Sequence, residues 1–305
     1  MENVEKSLVS LGILTYNSAK TVLETLDSAY AQTYKNIELI ISDDSSKDDT
    51  VAICKSWIET HASRFVRCKL LTVDKNSGIS ANCNRLVSEC KGEYVKYLAG
   101  DDIFYPSCIE DNMNHVGDSD LLISDLQRFR GDIVFRYNNP IDFEKFCKLS
   151  SKDRVHYYAR TSFFCNVPTL FFKRILYNKV GMYDESEPML EDVPFLLKVF
   201  ASDAKVGYFP KVTIKYRDGG ISNSGTISFH RILLHAFWNY RIKYLKRNSF
   251  LDQVLIIERK ISGKVLNLSD KYPIALKLYT SRYNLIIRLL DYLLFGKCRS
   301  KKKKM

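Results

Sequence analysis

The first hundred residues alternate short apolar runs with segments whose apolar residues recur every three or four positions. The apolar runs are rich in β-branched and aromatic residues and predict buried strands at 7–14, 37–41, 69–73 and 94–99. The segments between them predict helices at 19–31, 47–60 and 78–90. Strands that alternate with helices in this way are typical of a parallel, doubly wound sheet, so we expect an α/β fold with helices flanking the sheet.

The chain changes character after the Gly/Ser-rich stretch at 219–225, which predicts a loop or a domain boundary. We therefore expect a domain at 1–225 and a helical C-terminal region at 226–305, with helices over 228–250 and 251–295. The net charge of +11 is uneven, because 226–305 carries 18 Lys and Arg against 4 Asp and Glu, whereas 1–225 carries 28 against 31. This asymmetry predicts an anionic partner for the C-terminal region.

The end of the chain favours a lipid surface over nucleic acid as that partner. Residues 286–295 are amphipathic, and Lys297, Arg299 and Lys301–Lys304 follow them. A basic amphipathic helix with a polybasic end is typical of attachment to an anionic membrane surface. An ordinary packing helix with a solvated lysine tail is the alternative. A nucleic-acid-binding tail would instead predict steeply salt-dependent binding to DNA or RNA.

Cysteine usage and the N-terminus bear on the cellular compartment. The eight cysteines are scattered without a Cys-x-x-Cys pair, which predicts reduced thiols in a cytoplasmic protein. The first residues lack the basic and apolar regions of a signal peptide, and no uncharged apolar segment is long enough to span a bilayer. We expect a cytoplasmic protein, held peripherally on the inner face of the plasma membrane.

Oxygen-bearing side chains follow three of the predicted strands. Thr15–Asn17 follows the first strand, Asp43–Asp44 the second and Asp101–Asp102 the fourth. The carboxyl ends of parallel strands lie along one edge of the sheet, where such folds bind ligands. Paired carboxylates at that edge suit a divalent cation that a substrate diphosphate also holds. Each cluster taken singly is as well explained by a turn or a helix cap, and the fingerprints of dinucleotide-binding and phosphate-binding loops are missing.

Several segments, in this order along the chain, resemble the inverting family 2 glycosyltransferases. They are Leu14–Asn17, Ile40–Thr50, Asn76–Asn84, Lys91–Tyr94, Gly100–Asp102, Met189–Phe195 and Tyr216–Arg217. The resemblance covers about residues 7–222. It implies a GT-A fold, with a Rossmann-like, mainly parallel sheet, a nucleotide half at about 1–102, an acceptor half at about 103–225 and a basic helical extension.

The resemblance also implies a role for each matching residue. Asp44 would contact the uracil of a UDP-sugar, and Asp102 would bind Mn²⁺ or Mg²⁺ at the diphosphate. Asp192 would be the catalytic base, and Glu191 would support it or hold the acceptor. The other residues implied to contact the donor are Thr15, Tyr16, Asn17, Gly78, Asn82, Asp101 and Arg217. Taken alone, Glu191–Asp192 is also explained by the preference for acidic residues in the first turn of a helix.

Two positions depart from the family's pattern. The family often has Asp at the place of Ala99 and commonly has Arg at the place of Asn82, so a catalytically weak, sugar-nucleotide-binding relative is the alternative. We expect an inverting transfer of a hexose or N-acetylhexosamine from a UDP-sugar to a saccharide acceptor on a lipid carrier. Such transfers build O-antigen and capsular polysaccharide at the cell surface. The sequence predicts no nucleic-acid partner, and it specifies neither the transferred sugar nor the oligomeric state.

Overall fold

The computed structural model describes residues 7–135, 142–161, 165–186, 190–219 and 227–269. The chain divides into two compact units. The described residues up to 154 and those from 165 to 219 form the first, and 155–161 with 227–269 form the second. The predicted domain boundary at 225 lies outside the described residues and stays a prediction.

The first unit contains one mixed sheet flanked by helices. Its described strands are β1 Val9–Thr15, β2 Ile37–Asp43, β3 Arg67–Thr72, β4 Tyr94–Ala99, β5 Ile103–Phe104, β6 Leu121–Arg130, β7 Ile133–Phe135, β8 Leu170–Lys173 and β9 Val206–Arg217. The helices that belong to it are α1 Val22–Tyr30, α2 Thr50–His61, α3 Ile79–Glu89, α4 Cys108–His115, α5 Phe143–Lys148, the start of α6 Ser151–Arg160, α7 Arg174–Val180 and α8 Asp192–Ala201. The predicted α/β class and the first four strands are confirmed.

The described strands lie in the order β3-β2-β1-β4-β8-β6-β9-β5, and β7 pairs with β6. Strands β1 to β4 are mutually parallel, as predicted. Beyond β4 the sheet continues through β8, which is antiparallel to both β4 and β6. Hydrophobic periodicity gives the type of an element but not its partner in space, so the sequence did not predict this continuation.

Close packing against β1 and β2 fixes the face on which α3 lies. All seven residues of each of these two strands are buried, as expected for parallel strands covered on both sides. A side chain at Gly12 would lie 2.6 Å from Leu86 Cδ2 and 2.7 Å from Tyr97 Cβ. Gly12 therefore allows α3 to approach the sheet closely, which places the N-terminus of α3 at the carboxyl ends of β1 and β2.

The second unit is helical in its described part. Helix α9 covers Ile227–Ala236, a π-helical turn and a 3₁₀ turn follow at 237–244, and α10 covers Phe250–Ser269. The predicted helical character of 228–250 is confirmed through 244, although the α-helical hydrogen bonding ends at Ala236 and residues 245–249 are not helical. The predicted amphipathic segment at 286–295 and the lysine-rich end lie outside the described residues. Within the described residues, no helix has the length and apolar character needed to cross a membrane.

Candidate active site

Polar side chains after β1 and β2 are hydrogen-bonded to one another at the carboxyl ends of these strands. Thr15 Oγ1 donates to Asp43 Oδ2 at 2.8 Å, and Ser46 N donates to Asp43 Oδ1 at 2.9 Å. Asn17 has a φ of 51°, and its Oδ1 accepts from Lys47 N at 2.8 Å. Left-handed backbone at a non-glycine residue is uncommon and is concentrated at functional sites. Asp43 is thus fully used in shaping this edge, whereas the Tyr16 side chain is half exposed beside it.

Asp44 lies at the N-terminus of α3 and accepts several hydrogen bonds. Its carboxylate receives Ser77 N at 3.0 Å, the Ser77 hydroxyl at 2.5 Å and Gly78 N at 2.8 Å. Gly78 has a φ of 89°, a conformation that glycine adopts without strain, and this turns its N–H toward Asp44. Burial raises the pKa of Asp44, but these hydrogen bonds outweigh burial and hold its pKa below the usual value.

Arg85 completes this cluster and is not among the residues that the family resemblance implied. Its guanidinium donates to Asp44 Oδ1 at 3.1 Å, to Ser77 Oγ at 2.6 Å and to Asn82 Oδ1 at 3.0 Å. Arg85 lies three positions after Asn82 on α3, so both side chains share one helix face. The family commonly has Arg at the place of Asn82, and Arg85 lies about one helical turn later. This proximity was the signal in the sequence that could have identified Arg85. The structure thus brings Asp44, Gly78 and Asn82 together around an arginine.

A polar stripe on α1 and its flanks holds the loop that carries Asp101 and Asp102. Thr21 Oγ1 donates to Gly100 O at 2.7 Å, and Thr25 Oγ1 donates to Asp102 O at 2.8 Å. Further along the same face, Ser28 Oγ accepts from Phe104 N at 3.1 Å. Positions 21, 25 and 28 recur at helical spacing, so one face of α1 contacts successive backbone groups of the loop.

Arg217, at the end of β9, binds the same loop from the other side. Its backbone N–H donates to Asp102 Oδ1 at 2.8 Å, and its Nε donates to Asp101 O at 2.8 Å. Its Nη2 donates to Glu24 Oε2 on α1 at 2.6 Å. Burial raises the pKa of Asp101, and burial together with the Asp101 charge raises that of Asp102 well above its usual value. The two carboxylates therefore favour a bound cation.

The donor set at Asp102 fits a divalent ion that a diphosphate helps to hold. Among the described hydrogen bonds, its carboxylate accepts one, from Arg217 N at Oδ1. Within the described residues no group of three or more His, Cys, Asp or Glu could hold a metal by itself. Mg²⁺ and similar ions are commonly bound by one or two carboxylates plus substrate phosphates and water. The residues present therefore match a metal that is completed by substrate oxygens.

Glu191 and Asp192 lie at the N-terminus of α8, where both side chains are partly exposed. Asp192 Oδ1 accepts from Val193 N at 2.7 Å. Burial raises the pKa of Asp192 to about 6. Burial and the neighbouring Asp192 raise the pKa of Glu191 to about 8. Burial and the closeness of the two carboxylates therefore favour a bound proton on this pair.

A buried network supports the chain just before α8. Asn84 Nδ2 donates to Tyr183 O at 3.1 Å and to Glu185 Oε1 at 2.7 Å, and Asn84 Oδ1 accepts from Tyr183 N at 2.9 Å. The Tyr183 ring packs 4.6 Å from the Phe195 ring of α8, and its hydroxyl is hydrogen-bonded to Tyr97 on β4. The sheet and α3 thus position the helix that carries Asp192.

The Asp101–Asp102 loop and the Glu191–Asp192 pair are two separate groups of carboxylates that both depend on β4 for support. No described hydrogen bond or ion pair joins the pair to Asp101, Asp102 or Arg217. Both groups are anchored through the strand β4, because Asp102 follows its end and Tyr97 lies within it.

Comparison with known proteins identifies the class. The family model described as glycosyl transferase family 2 matches residues 10–181, which is more than half of the chain. The chain therefore belongs to this family, and it is a glycosyltransferase with a GT-A fold.

One relative and two solved structures illustrate the similarity. The Escherichia coli protein WfaP, a UDP-Glc:α-D-GlcNAc-diphosphoundecaprenol β-1,3-glucosyltransferase, is 29% identical over 69% of this chain and 77% of its own. The structure of S. aureus TarS 1–349 with UDP-GlcNAc has a TM-score of 0.57 at 18% identity, over 95% of this chain and 76% of that one. The structure of the mannosyltransferase PcManGT of Pyrobaculum calidifontis with GDP-Man and Mn²⁺ has a TM-score of 0.55 at 17% identity, over 96% of this chain and 89% of that one. The two structures show the fold.

Proposed function

We propose that this chain transfers a hexose or N-acetylhexosamine from a UDP-sugar to a saccharide hydroxyl, with inversion at the anomeric carbon. The observation that supports the proposal is that β4 anchors two groups of carboxylates. One is the Asp101–Asp102 loop, fastened by α1 and Arg217, and the other is the partly exposed Glu191–Asp192 pair.

The donor would be held at the first site. Asp44 and its neighbours Gly78, Asn82 and Arg85 form a polar cluster suited to a pyrimidine edge, and Thr15, Tyr16 and Asn17 line the adjoining edge. Asp102 would hold Mn²⁺ or Mg²⁺ together with the diphosphate, and Asp101 would contact the ribose or sugar. A bound divalent ion stabilises negative charge on the departing phosphate as a Lewis acid. Arg217 adds a fixed positive charge beside that position.

Asp192 would take the proton from the attacking hydroxyl. A sugar hydroxyl is a weak nucleophile until a positioned base accepts its proton as the new bond forms. A base whose pKa lies near the working pH is the most effective, and the raised pKa of Asp192, about 6, approaches this condition. Burial and the neighbouring Asp192 raise the pKa of Glu191, and in its protonated form Glu191 would donate a hydrogen bond to the acceptor. A single displacement with base and leaving group on opposite sides gives inversion.

The acceptor would be a saccharide on a lipid carrier, as in O-antigen or capsule assembly. WfaP, whose name gives a diphosphoundecaprenol-linked acceptor, supports this assignment. The charge of 226–305 supports residence on an anionic membrane surface, at the inner face of the plasma membrane.

The test is UDP release from a panel of UDP-sugars by the full chain, with and without Mn²⁺ and with a lipid-linked acceptor. We expect metal-dependent release from one donor, which Asp192→Asn abolishes while UDP binding persists. Asp203→Asn is the matched control and should retain activity, because Asp203 is an exposed carboxylate paired with Lys179. UDP binding without turnover of any donor, with lipid-linked acceptors present, would support the weak sugar-nucleotide-binding relative instead.

A further inference from the structure

Helix α10 presents a continuous apolar stripe to solvent. Phe250, Ile257, Ile261 and Leu268 are 80%, 53%, 36% and 53% exposed. Their spacings of seven, four and seven residues place them on one face of the helix. A stripe of large apolar side chains along a helix of 20 residues is a feature that soluble surfaces rarely leave uncovered.

The charged residues of α10 are distributed to match an anionic surface. Lys260 and Lys264 are exposed along one border of the stripe. The two carboxylates of the helix are both turned inward. Asp252 accepts from His156 Nε2 at 2.8 Å and Arg160 Nε at 2.6 Å, and Glu258 accepts from Ser262 Oγ at 2.6 Å. Among the described side chains of α10, the exposed face therefore carries positive charge and no negative charge.

This charge pattern disfavours a second copy of the chain as the occupant. A two-fold contact presents the same surface from both partners. Lys260 and Lys264 would then meet a face without carboxylates, and their charges would lose water without gaining an opposite charge. Lipid phosphates satisfy the lysines, and the boundary with the acyl chains accepts the apolar side chains.

We propose that the exposed face of α10 lies on the surface of an anionic lipid bilayer, with Phe250, Ile257, Ile261 and Leu268 inserted at the headgroup boundary. The inference rests on the proposed lipid-linked acceptor, because an enzyme on the membrane surface meets that substrate in two dimensions. It assigns membrane contact to α10 in addition to the lysine-rich end of the chain.

The experiment measures sedimentation of the full chain with vesicles of phosphatidylcholine and phosphatidylglycerol, at low and high salt. High salt screens the lysines and the polybasic end, so the binding that remains reports apolar insertion. We expect the double variant Ile257→Gln, Ile261→Gln to lower the high-salt partition coefficient about tenfold or more. Lys260→Gln with Lys264→Gln should lower binding at low salt only, and only to vesicles that contain phosphatidylglycerol.

Ile175→Gln is the matched control, because Ile175 is 70% exposed on α7 in the first unit. Equal binding by wild type and the Ile257, Ile261 variant, or an equal loss in Ile175→Gln, overturns the inference. The inference is also overturned if the chain forms a dimer in solution that the Ile257, Ile261 variant dissociates while its vesicle binding is unchanged. That result would assign the stripe to contact with a second copy of the chain. UDP release from a UDP-sugar in detergent solution tests the proposed function separately, since the α10 variants should keep it.

Discussion

The hydrogen bond from Thr25 to the Asp101–Asp102 loop gives the sharpest test of how α1 positions the proposed metal site. Thr25 is fully buried, and its hydroxyl lies 2.8 Å from the carbonyl of Asp102. Thr25→Val keeps the shape of the side chain and removes the donor. Leaving a buried carbonyl without this donor costs about 1–3 kcal/mol of unfolding free energy. We expect Thr25→Ser to restore most of it.

Loss of the Thr25 hydrogen bond should also weaken the binding of the metal ion. Groups that orient a ligand are typically worth about 10–100-fold in metal affinity, and a single hydrogen bond to the ligand's backbone belongs at the lower end. We therefore expect Thr25→Val to raise the Mn²⁺ concentration for half-maximal binding about tenfold. The assay is Mn²⁺ titration in the presence of UDP, followed by electron paramagnetic resonance, which does not depend on turnover.

Thr169→Val separates positioning from stability. Thr169 is buried in the same unit, and its hydroxyl donates to Asn166 O at 2.7 Å, away from the loop. Both variants should lower the urea midpoint, but only Thr25→Val should weaken Mn²⁺ binding. Wild-type Mn²⁺ affinity in Thr25→Val, or equal weakening in Thr169→Val, would refute the positioning role of α1.

Three further predictions concern the base and the nucleotide cluster. Asp192→Asn should lower turnover about 10²–10⁴-fold. Glu191→Gln, which mimics the protonated acid, should change turnover less than about tenfold at pH 7. Steady-state kinetics measures the turnover of both variants, and calorimetry with UDP shows whether each still binds the nucleotide. Turnover should rise as pH increases through about 6, the raised pKa of Asp192. The free energy of unfolding should fall over the same rise in pH, because between pH 3.8 and about 6 the folded chain binds a proton that the unfolded chain has lost. A turnover profile that is flat from pH 5 to 7 would contradict the first expectation. Arg85→Gln should weaken UDP binding about tenfold, because it removes the charge-assisted hydrogen bond to Asp44. Arg67→Gln, which breaks the ion pairs of Arg67 with Glu38 and Glu89, should lower only the urea midpoint.

The order of strands and helices in the nucleotide half could be predicted from the sequence, because burial and backbone geometry impose their periods locally. The ends of those strands located Asp44 and Asp102, since parallel strands share one edge. The family, the fold and the enzyme class were also within reach of the ordered motifs, and all three are confirmed. The roles of the individual site residues, the metal, inversion and the acceptor stay predictions.

Contacts between distant segments were decided by the tertiary structure alone. Arg217 reaches Glu24 across 193 positions, and no local pattern specifies that partner. The hydrogen bonds that Asp44 accepts from Ser77, Gly78 and Arg85 likewise depend on how α3 packs on β2. Periodicity reports which face of an element is buried, but the partner of a polar side chain depends on where the chain returns. That return is fixed by packing over the whole sheet.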